Sequence, residues 1–166
     1  MAGIDAAESH LFPGTDLRVL RLPFGPLEAN AWLVMERSRS VLIDPCIALH
    51  HMPEGALDGS LPVTLLLATH GHFDHVMTVS SLRSRLSASF RIHPEDSTLL
   101  GDPIRNGAVL LFENTAFPPP DATFRDGDRF HLDGSPVSTA EREEAAWIQV
   151  LHTPGHTSGS CCFALG

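Results

Sequence analysis

The sequence lacks the long apolar run of a membrane protein, since no stretch approaches the ~20 residues that a transmembrane helix requires. It is also poor in basic residues: 11 Lys and Arg stand against 20 Asp and Glu, which gives a formal net charge of −9. Without a basic cluster, a nucleic-acid phosphate backbone is an unfavourable partner, so nucleic acid is not expected. Acidic residues occupy the N-terminus, where a signal peptide needs positive charge.

Cysteine is scarce as well. The three cysteines, Cys46, Cys161 and Cys162, are an odd number without the spacing of a disulfide framework. Such usage fits a reducing compartment, and with no signal peptide or membrane segment it predicts a cytoplasmic protein. Cys161 and Cys162 lie in the final apolar run, so we expect them to pack in the core rather than act as nucleophiles.

The composition does suit one globular domain. The chain has 166 residues, of which 43% are hydrophobic, and this is enough to bury a core. It contains no internal repeat and no linker. We therefore predict a flexible N-terminus over residues 1–15, followed by a single domain over residues 16–166.

Apolar patterning predicts a mixed α+β domain. Alternation over Leu17–Leu22, Ala29–Met35 and Ser40–Ile43 indicates an antiparallel meander. The apolar run Leu61–Ala68 is typical of a strand buried on both faces, and His75–Leu86 has helical periodicity. Further strands are predicted at Ala88–His93, Gly127–Leu132 and Trp147–Leu151, with a polar, helix-prone insert at Gly134–Ala145.

The stretch T-H-G-H-F-D-H, residues 69–75, holds three imidazoles and a carboxylate within seven residues. Because it follows a buried strand, these groups are expected to be paired or bound to a metal rather than freely solvated. His70 and His72 are two residues apart, so on an extended backbone they project to the same side and can bind one ion. Asp74 and His75 follow as the chain turns and point to a second location beside the first.

A second histidine motif, H-T-P-G-H-T-S-G-S, spans residues 152–160. Its Pro-Gly turn holds the backbone stiffly, which suits a loop that presents His156 as a third metal ligand. With His70 and His72 it would form a tris-imidazole site with one position open for water, as in catalytic zinc sites. His152 lies before the turn and could equally be a core residue or support a ligand.

These two motifs, with I-D-P at residues 43–45, resemble the metallo-β-lactamase superfamily, and specifically its glyoxalase II (hydroxyacylglutathione hydrolase) branch. The stretch G-P-L-E-A-N-A-W-L-V, residues 25–34, is also similar to the start of small glyoxalase II-like hydrolases. The resemblance runs from about Leu17 to the last residue. It implies an αββα sandwich with the site at the rim of its sheets.

The resemblance also implies a ligand set. His70, His72 and His156 would hold one metal, while Asp74 and His75 would help to hold a second. The cofactor would be zinc, at two sites in the complete family fold, with iron or manganese as other candidates. Asp44 matches a family aspartate that supports the site rather than binding the metal.

The activity implied is metal-dependent hydrolysis of a small thioester, with a glutathione thioester as one candidate substrate. The metal makes hydroxide available near neutral pH and polarises the carbonyl under attack, while Asp74 would orient the nucleophile as the catalytic carboxylate. One alternative is a mononuclear iron persulfide dioxygenase, which shares the H-x-H-x-D-H motif. Another is an inactive metal-binding fragment.

The family pattern is incomplete at the C-terminal end. The metal-bridging Asp and the last His of the family lie beyond a strand that begins around Ser160, whereas the sequence stops at Gly166. We therefore expect a C-terminally truncated domain, in which the second metal binds weakly and the final strand has an exposed edge.

Overall fold

The computed structural model describes residues 9–13, 15–24, 27–110, 115–137 and 145–166. In these ranges the strands form two sheets, one of seven strands in chain order and one of three strands. The large sheet contains β1 (Ser9–Leu11), β2 (Leu17–Phe24), β3 (Ala29–Glu36), β4 (Arg39–Ile43), β5 (Val63–Leu67), β6 (Ser89–Ile92) and β7 (Ala122–Thr123).

The small sheet contains β8 (Arg129–His131), β9 (Trp147–His152) and β10 (Cys161–Leu165). Its strand order is β10-β9-β8, and it is antiparallel throughout. Among the described residues, short helices and two 3-10 turns connect the strands of the large sheet. The helices are α1 (Glu54–Asp58), α2 (Phe73–Val76), α3 (Val79–Leu86) and α4 (Pro94–Ser97), and the 3-10 turns are Leu49–His51 and Ala108–Leu110.

The central strands of the large sheet are buried on both faces, as the apolar run around β5 predicted. On β4, Leu42 belongs to a core shared with α1, α2 and α3, whereas Val41 and Ile43 belong to a core shared with the small sheet. The layers are therefore helix, sheet and sheet. On the outer face of the small sheet, Leu151 and Cys162 are exposed. The α+β class and the αββα architecture are confirmed as an incomplete version of that fold, with three of the four layers among the described residues.

The topology changes from antiparallel to parallel at β4. Strands β2, β3 and β4 form the predicted meander, whereas the pairs β4–β5, β5–β6 and β6–β7 are parallel. Parallel neighbours end at the same edge of a sheet, so the residues that follow β4, β5 and β6 meet there. The small sheet joins this edge through a hydrogen bond of 2.8 Å from the Cys161 N–H to the Thr69 carbonyl.

The stretch predicted to be a flexible N-terminus, residues 1–15, is described only in part. Residues 1–8 and 14 lie outside the described residues, but Ser9–Leu11 pairs antiparallel with β2 and forms the edge strand β1. All three side chains of β1 are exposed. Backbone hydrogen bonds to β2, rather than burial of apolar side chains, hold this strand, and apolar patterning does not report such bonds.

The predicted helix His75–Leu86 is interrupted at Thr78. Its backbone N–H and its hydroxyl both donate to the Pro45 carbonyl, at 3.1 and 2.7 Å, so the N–H is not available to the preceding turn. The helix is divided into α2 and α3 as a result. Val76, Val79 and Leu82 are nevertheless buried on one side, as the helical periodicity predicted.

The polar insert predicted at Gly134–Ala145 falls largely outside the described residues, because residues 138–144 are not among them.

Within the described ranges, none of the helices has the length and apolar character needed to cross a membrane.

Two of the three cysteines are buried, and the third is exposed. Burial raises the pKa of the Cys46 and Cys161 thiols to about 12, whereas Cys162 points outward and is exposed. The expectation that Cys161 and Cys162 both pack in the core thus holds for Cys161 alone, since neighbouring residues of a strand face opposite sides. Brief treatment of the native protein with iodoacetamide near pH 7.5 should add one label, at Cys162, detected by intact mass.

Unfolding in guanidinium should make all three thiols reactive. The Cys162→Ser variant serves as the control and should remain unlabelled in the native state. Native labelling of Cys161 or Cys46 would contradict the described packing of β10 and of the loop after β4.

Candidate metal centre

Three histidines from distant parts of the chain meet at the rim of the two sheets. The ring centroids of His70, His72 and His156 lie 4.6 to 4.9 Å apart, and each pair of rings is close to perpendicular, at 75 to 88°. One nitrogen from each ring lies within 4.8 Å of the others. Three donor nitrogens at this spacing could bind one metal ion together.

The distances suit zinc. His72 Nδ1 and His156 Nε2 are 2.9 Å apart. Two nitrogens bound at ~2.0–2.1 Å to a tetrahedral zinc are separated by roughly 3.3 Å, so a small movement of either ring would accommodate the ion. The donor set of three imidazoles also leaves a fourth position for water or substrate, which is the arrangement of catalytic rather than structural zinc sites.

His70 is oriented by a buried carboxylate acting through a hydroxyl. Asp44 is 3% exposed, and its oxygens lie 2.9 and 3.0 Å from Thr69 Oγ1. The same hydroxyl is 3.0 Å from His70 Nδ1. If the Thr69 O–H donates to Asp44, it accepts from His70 Nδ1–H, which leaves Nε2 of His70 unprotonated for an ion.

The surroundings of His70 and His72 favour the neutral form of the imidazole, which is the form that metals bind. Burial, with smaller contributions from the neighbouring histidines, lowers the pKa of His70 to about 3. Burial and the proximity of His156 also lower the pKa of His72, against an opposite effect of Asp74. A neutral imidazole has a lone pair to donate, so no proton must leave before an ion binds.

Asp74 and His75 lie beside this group without joining it. His75 Nδ1 donates to Asp44 Oδ2 at 2.9 Å, and His75 Nε2 is 3.7 Å from Asp74 Oδ2. Burial lowers the pKa of His75, but the hydrogen bond to Asp44 and the charges of Asp44 and Asp74 outweigh that effect and raise it. Neither residue belongs to the set of donor atoms within 4.8 Å of one another.

Asp96 is a site residue that the sequence analysis missed. It is fully buried and follows β6 at the same edge of the large sheet. Its Oδ2 accepts from the Gly71 N–H at 2.9 Å and from the Thr157 hydroxyl at 2.7 Å, and its Oδ1 accepts from the Gly159 N–H at 2.7 Å. One carboxylate therefore connects the segment that carries His70 and His72 to the turn that carries His156.

Two glycines allow this close contact. A Cβ at Gly159 would lie 2.7 to 2.8 Å from the backbone and side chain of Asp96, and one at Gly71 would lie 3.0 Å from the Asp96 carbonyl and from Leu99. Both glycines are therefore required by the packing around the carboxylate. A signal for Asp96 was present in the sequence, because an acidic residue closely follows the third parallel strand.

A second group of donors, His93, Glu95 and His152, lies near the first. The rings of His93 and His152 are stacked, with centroids 4.2 Å apart and planes inclined by only 13°. The in-plane lone pairs of two stacked rings lie in nearly parallel planes, so they do not meet at one ion as the lone pairs of two ligands should. His152 Nε2 is also 2.9 Å from the Ser158 carbonyl, so this histidine supports the turn around His156 rather than joining the three-histidine group.

The family follows from comparison with known proteins. The family model described as Metallo-beta-lactamase superfamily matches residues 24–166. The chain belongs to this superfamily. It is 28% identical over 149 residues to the probable metallo-hydrolase YqgX of Bacillus subtilis (strain 168), which covers 86% of this chain and 63% of that protein.

Among solved structures, the BLEG-1 B3 metallo-β-lactamase superimposes with a TM-score of 0.71 and 25% identity. The match covers 87% of this chain and 66% of that one. The chain thus spans slightly less than two thirds of the length of these superfamily members.

Two further relatives have the names of thioester hydrolases. A hydroxyacylglutathione hydrolase of Rhizobium meliloti is 33% identical over 103 residues, which is 62% of this chain and 29% of that protein. The acyl-coenzyme A thioesterase MBLAC2 of Gallus gallus is 29% identical over 153 residues, covering 81% of this chain and 52% of that protein.

Metal content tests the three-histidine group directly. We expect the purified protein to retain close to one equivalent of zinc after dialysis, and His72→Ala or His156→Ala to lose most of it, because two imidazoles hold zinc far more weakly than three. Inductively coupled plasma mass spectrometry gives the stoichiometry. His50→Ala removes an exposed imidazole outside the site and should leave it unchanged. Unaltered zinc in the His72→Ala protein would refute the grouping.

Asp96→Asn tests the connection between the two ligand-bearing segments. An amide has one acceptor oxygen instead of two, so at least one of the three donors loses its partner, at a cost of about 1–3 kcal/mol of unfolding free energy. Displaced ligands should also weaken zinc binding by about 10–100-fold. Urea unfolding and competition with a chelator measure the two effects. Glu54→Gln, which removes an exposed charge, is the control, and wild-type behaviour of Asp96→Asn would contradict the assignment.

Proposed function

We propose that this protein is a zinc-dependent hydrolase of small thioesters, with a glutathione thioester as the first substrate to test. The observation that supports the proposal best is the proximity of His70, His72 and His156, three mutually perpendicular imidazoles at the rim of a metallo-β-lactamase fold. In this proposal the three side chains hold one zinc ion. Metal analysis would also show whether the same three histidines hold iron or manganese instead of zinc.

Zinc in such a site supplies hydroxide near neutral pH and polarises a carbonyl oxygen. The residues of the chain arrange the reactants. Asp44 and Thr69 fix the ring of His70, and Asp96 keeps the turn of His156 against the first motif. The Thr69 and Thr157 hydroxyls donate to the buried carboxylates of Asp44 and Asp96, and the Thr69 hydroxyl also contacts His70 Nδ1, so these contacts hold the histidines in place before a substrate arrives.

Asp74 is the proposed catalytic carboxylate. It is only partly buried and lies within 3.7 Å of His75, beside the ligand group rather than in it. From this position its Oδ2 can accept a hydrogen bond from an incoming water molecule and take up its proton. His75 is held by Asp44 through Nδ1, which leaves Nε2 on the side of Asp74.

Asp74 and His75 also contribute to a second zinc site in this proposal, as the family resemblance implies. Two donors hold zinc less firmly than three, so the second ion should dissociate first. Because the chain spans slightly less than two thirds of YqgX and BLEG-1, the number of metals and the activity of the whole protein are parts of the proposal.

The thioester specificity is supported by the names of two relatives, a hydroxyacylglutathione hydrolase and an acyl-coenzyme A thioesterase. Their substrates differ in the thiol and share the thioester group. The free cysteines suggest the cytoplasm as the place where the protein acts.

The reaction is tested with S-lactoylglutathione and a simple acetyl thioester, following release of the thiol with a chromogenic disulfide. Dialysis against a chelator should abolish the activity and zinc should restore it. Asp74→Asn should lower kcat by about 10²-fold or more, as loss of a general base does, while the content of first-site zinc stays near one equivalent. Equal turnover in this variant, or turnover that survives the chelator, would refute the mechanism.

The same preparation distinguishes the iron alternative. A persulfide dioxygenase would contain iron and would consume oxygen with a glutathione persulfide, whereas the proposed hydrolase consumes none. Oxygen uptake that depends on iron, without thioester hydrolysis in the zinc form, would assign the dioxygenase reaction instead.

A further inference from the structure

We propose that Arg105 binds a carboxylate of the substrate in the polar pocket beside the three-histidine group, so that thioesters bearing a carboxylate are preferred over neutral ones. The inference rests on the proposed function in one respect, namely that the three-histidine group is the reaction centre. The binding of a carboxylate by Arg105 can be measured without any reaction.

The pocket has a volume of about 240 Å³ and adjoins the candidate ligands directly, since His72 and His156 both line it. Its other lining residues include Glu95, Arg105 and Ser158. Arg105 is the one arginine among the described residues around this space. A molecule that fills the pocket therefore contacts the histidines at one side and can reach a guanidinium at another.

The Arg105 side chain is unpaired in the described part of the chain. Its backbone N–H donates to Asp102, but no carboxylate among the described residues lies within ion-pair distance of its guanidinium. Other exposed or partly exposed arginines do have such partners, as in the pairs Arg37–Asp16 and Arg39–Asp133. In a chain with a net charge of −9, a guanidinium that lies beside a pocket and has no carboxylate partner among the described residues can bind an anion.

The loop of Arg105 is fixed to the metal-binding motif. The next residue, Asn106, is fully buried, and its carbonyl accepts from the Phe73 N–H at 2.9 Å. Phe73 directly follows the ligand His72. The Asn106 side chain closes its own loop by accepting from the Ala108 N–H at 2.8 Å.

Asp102 completes this anchoring, because its Oδ1 accepts from the N–H groups of Ile104 and Arg105, each at 3.1 Å. The backbone of Arg105 is thus held in place relative to the candidate ligands. A preorganised cation loses less entropy on binding than one on a free loop.

The chemistry of the pocket favours a carboxylate over a phosphate. A guanidinium offers a planar pair of N–H donors that matches the two oxygens of a carboxylate. A phosphate monoester can use the same donors, but it carries up to two negative charges near neutral pH. Glu95, which lines the same pocket, repels a doubly charged group more strongly than a singly charged one.

The test uses the full chain loaded with zinc and two thioethers that cannot be hydrolysed, 3-(butylthio)propionate and its neutral amide. Isothermal titration calorimetry should show the wild-type protein binding the carboxylate at least 10-fold more tightly than the amide. Arg105→Gln should reduce this ratio to about one without changing the zinc content. Arg85→Gln removes an equivalent exposed charge from α3 and should keep the wild-type ratio.

Two results would overturn the inference. One is a wild-type protein that does not distinguish the acid from the amide. The other is a preference for the acid that persists in Arg105→Gln, which would mean that the carboxylate binds elsewhere, for instance to the zinc ion itself.

Kinetics then separate this inference from the proposed function. With a carboxylated thioester, Arg105→Gln should raise KM at least 10-fold and change kcat by less than about threefold, while KM for a neutral thioester stays constant. If the wild-type protein hydrolyses neither thioester but shows the Arg105-dependent preference in calorimetry, the proposed reaction is wrong and the carboxylate site stands. Hydrolysis of both with the same KM values in Arg105→Gln would leave the reaction in place and refute the role of Arg105.

Discussion

The candidate site depends above all on the three hydrogen bonds accepted by the buried carboxylate of Asp96. A carboxylate without access to water is unstable unless donors replace its hydration, and here the donors come from two segments more than 80 residues apart, at Gly71 and at Thr157 with Gly159. The hydrogen bonds to this one carboxylate therefore hold together the two segments that carry the candidate metal ligands. His72 and His156 approach to 2.9 Å within this constraint.

Asp44 has a corresponding role on the other side of the first motif. It accepts from the backbone and hydroxyl of Thr69 and from the ring of His75, and its positive φ of 53° is a conformation that short polar residues tolerate better than most. The two carboxylates differ in what they support. Asp44 contacts the first histidine motif alone, where it orients the rings of His70 and His75. Asp96 contacts both histidine motifs and so determines the distance between them. Loss of Asp96 should therefore disturb the arrangement of the three histidines more than loss of Asp44.

The fold explains why the polar residues gather at one edge. Parallel pairing of β4, β5 and β6 brings the residues after each strand to the same rim, and the hydrogen bond from Cys161 to Thr69 adds the end of the small sheet. The pocket lined by Arg105 adjoins this rim, since His72 and His156 line it as well, and the Asn106 carbonyl accepts a hydrogen bond from the Phe73 N–H. A backbone hydrogen bond thus joins the loop of Arg105 to the segment that carries His72.

The sequence by itself determined what depends on short spacing. Alternation along β2 to β4, burial of β5 on both faces and the two-residue separation of His70 and His72 follow from the geometry of an extended backbone, and the motifs were sufficient to predict the superfamily. The tertiary structure decided what depends on distant residues. Contacts between segments far apart in the chain determine the position of His156, the role of Asp96 and the hydrogen bonds that interrupt the helix at Thr78. Local patterning reports which face of a strand or helix is apolar, but such contacts form only when whole sheets and loops pack, and the free energy of that packing has no periodic signature in the sequence.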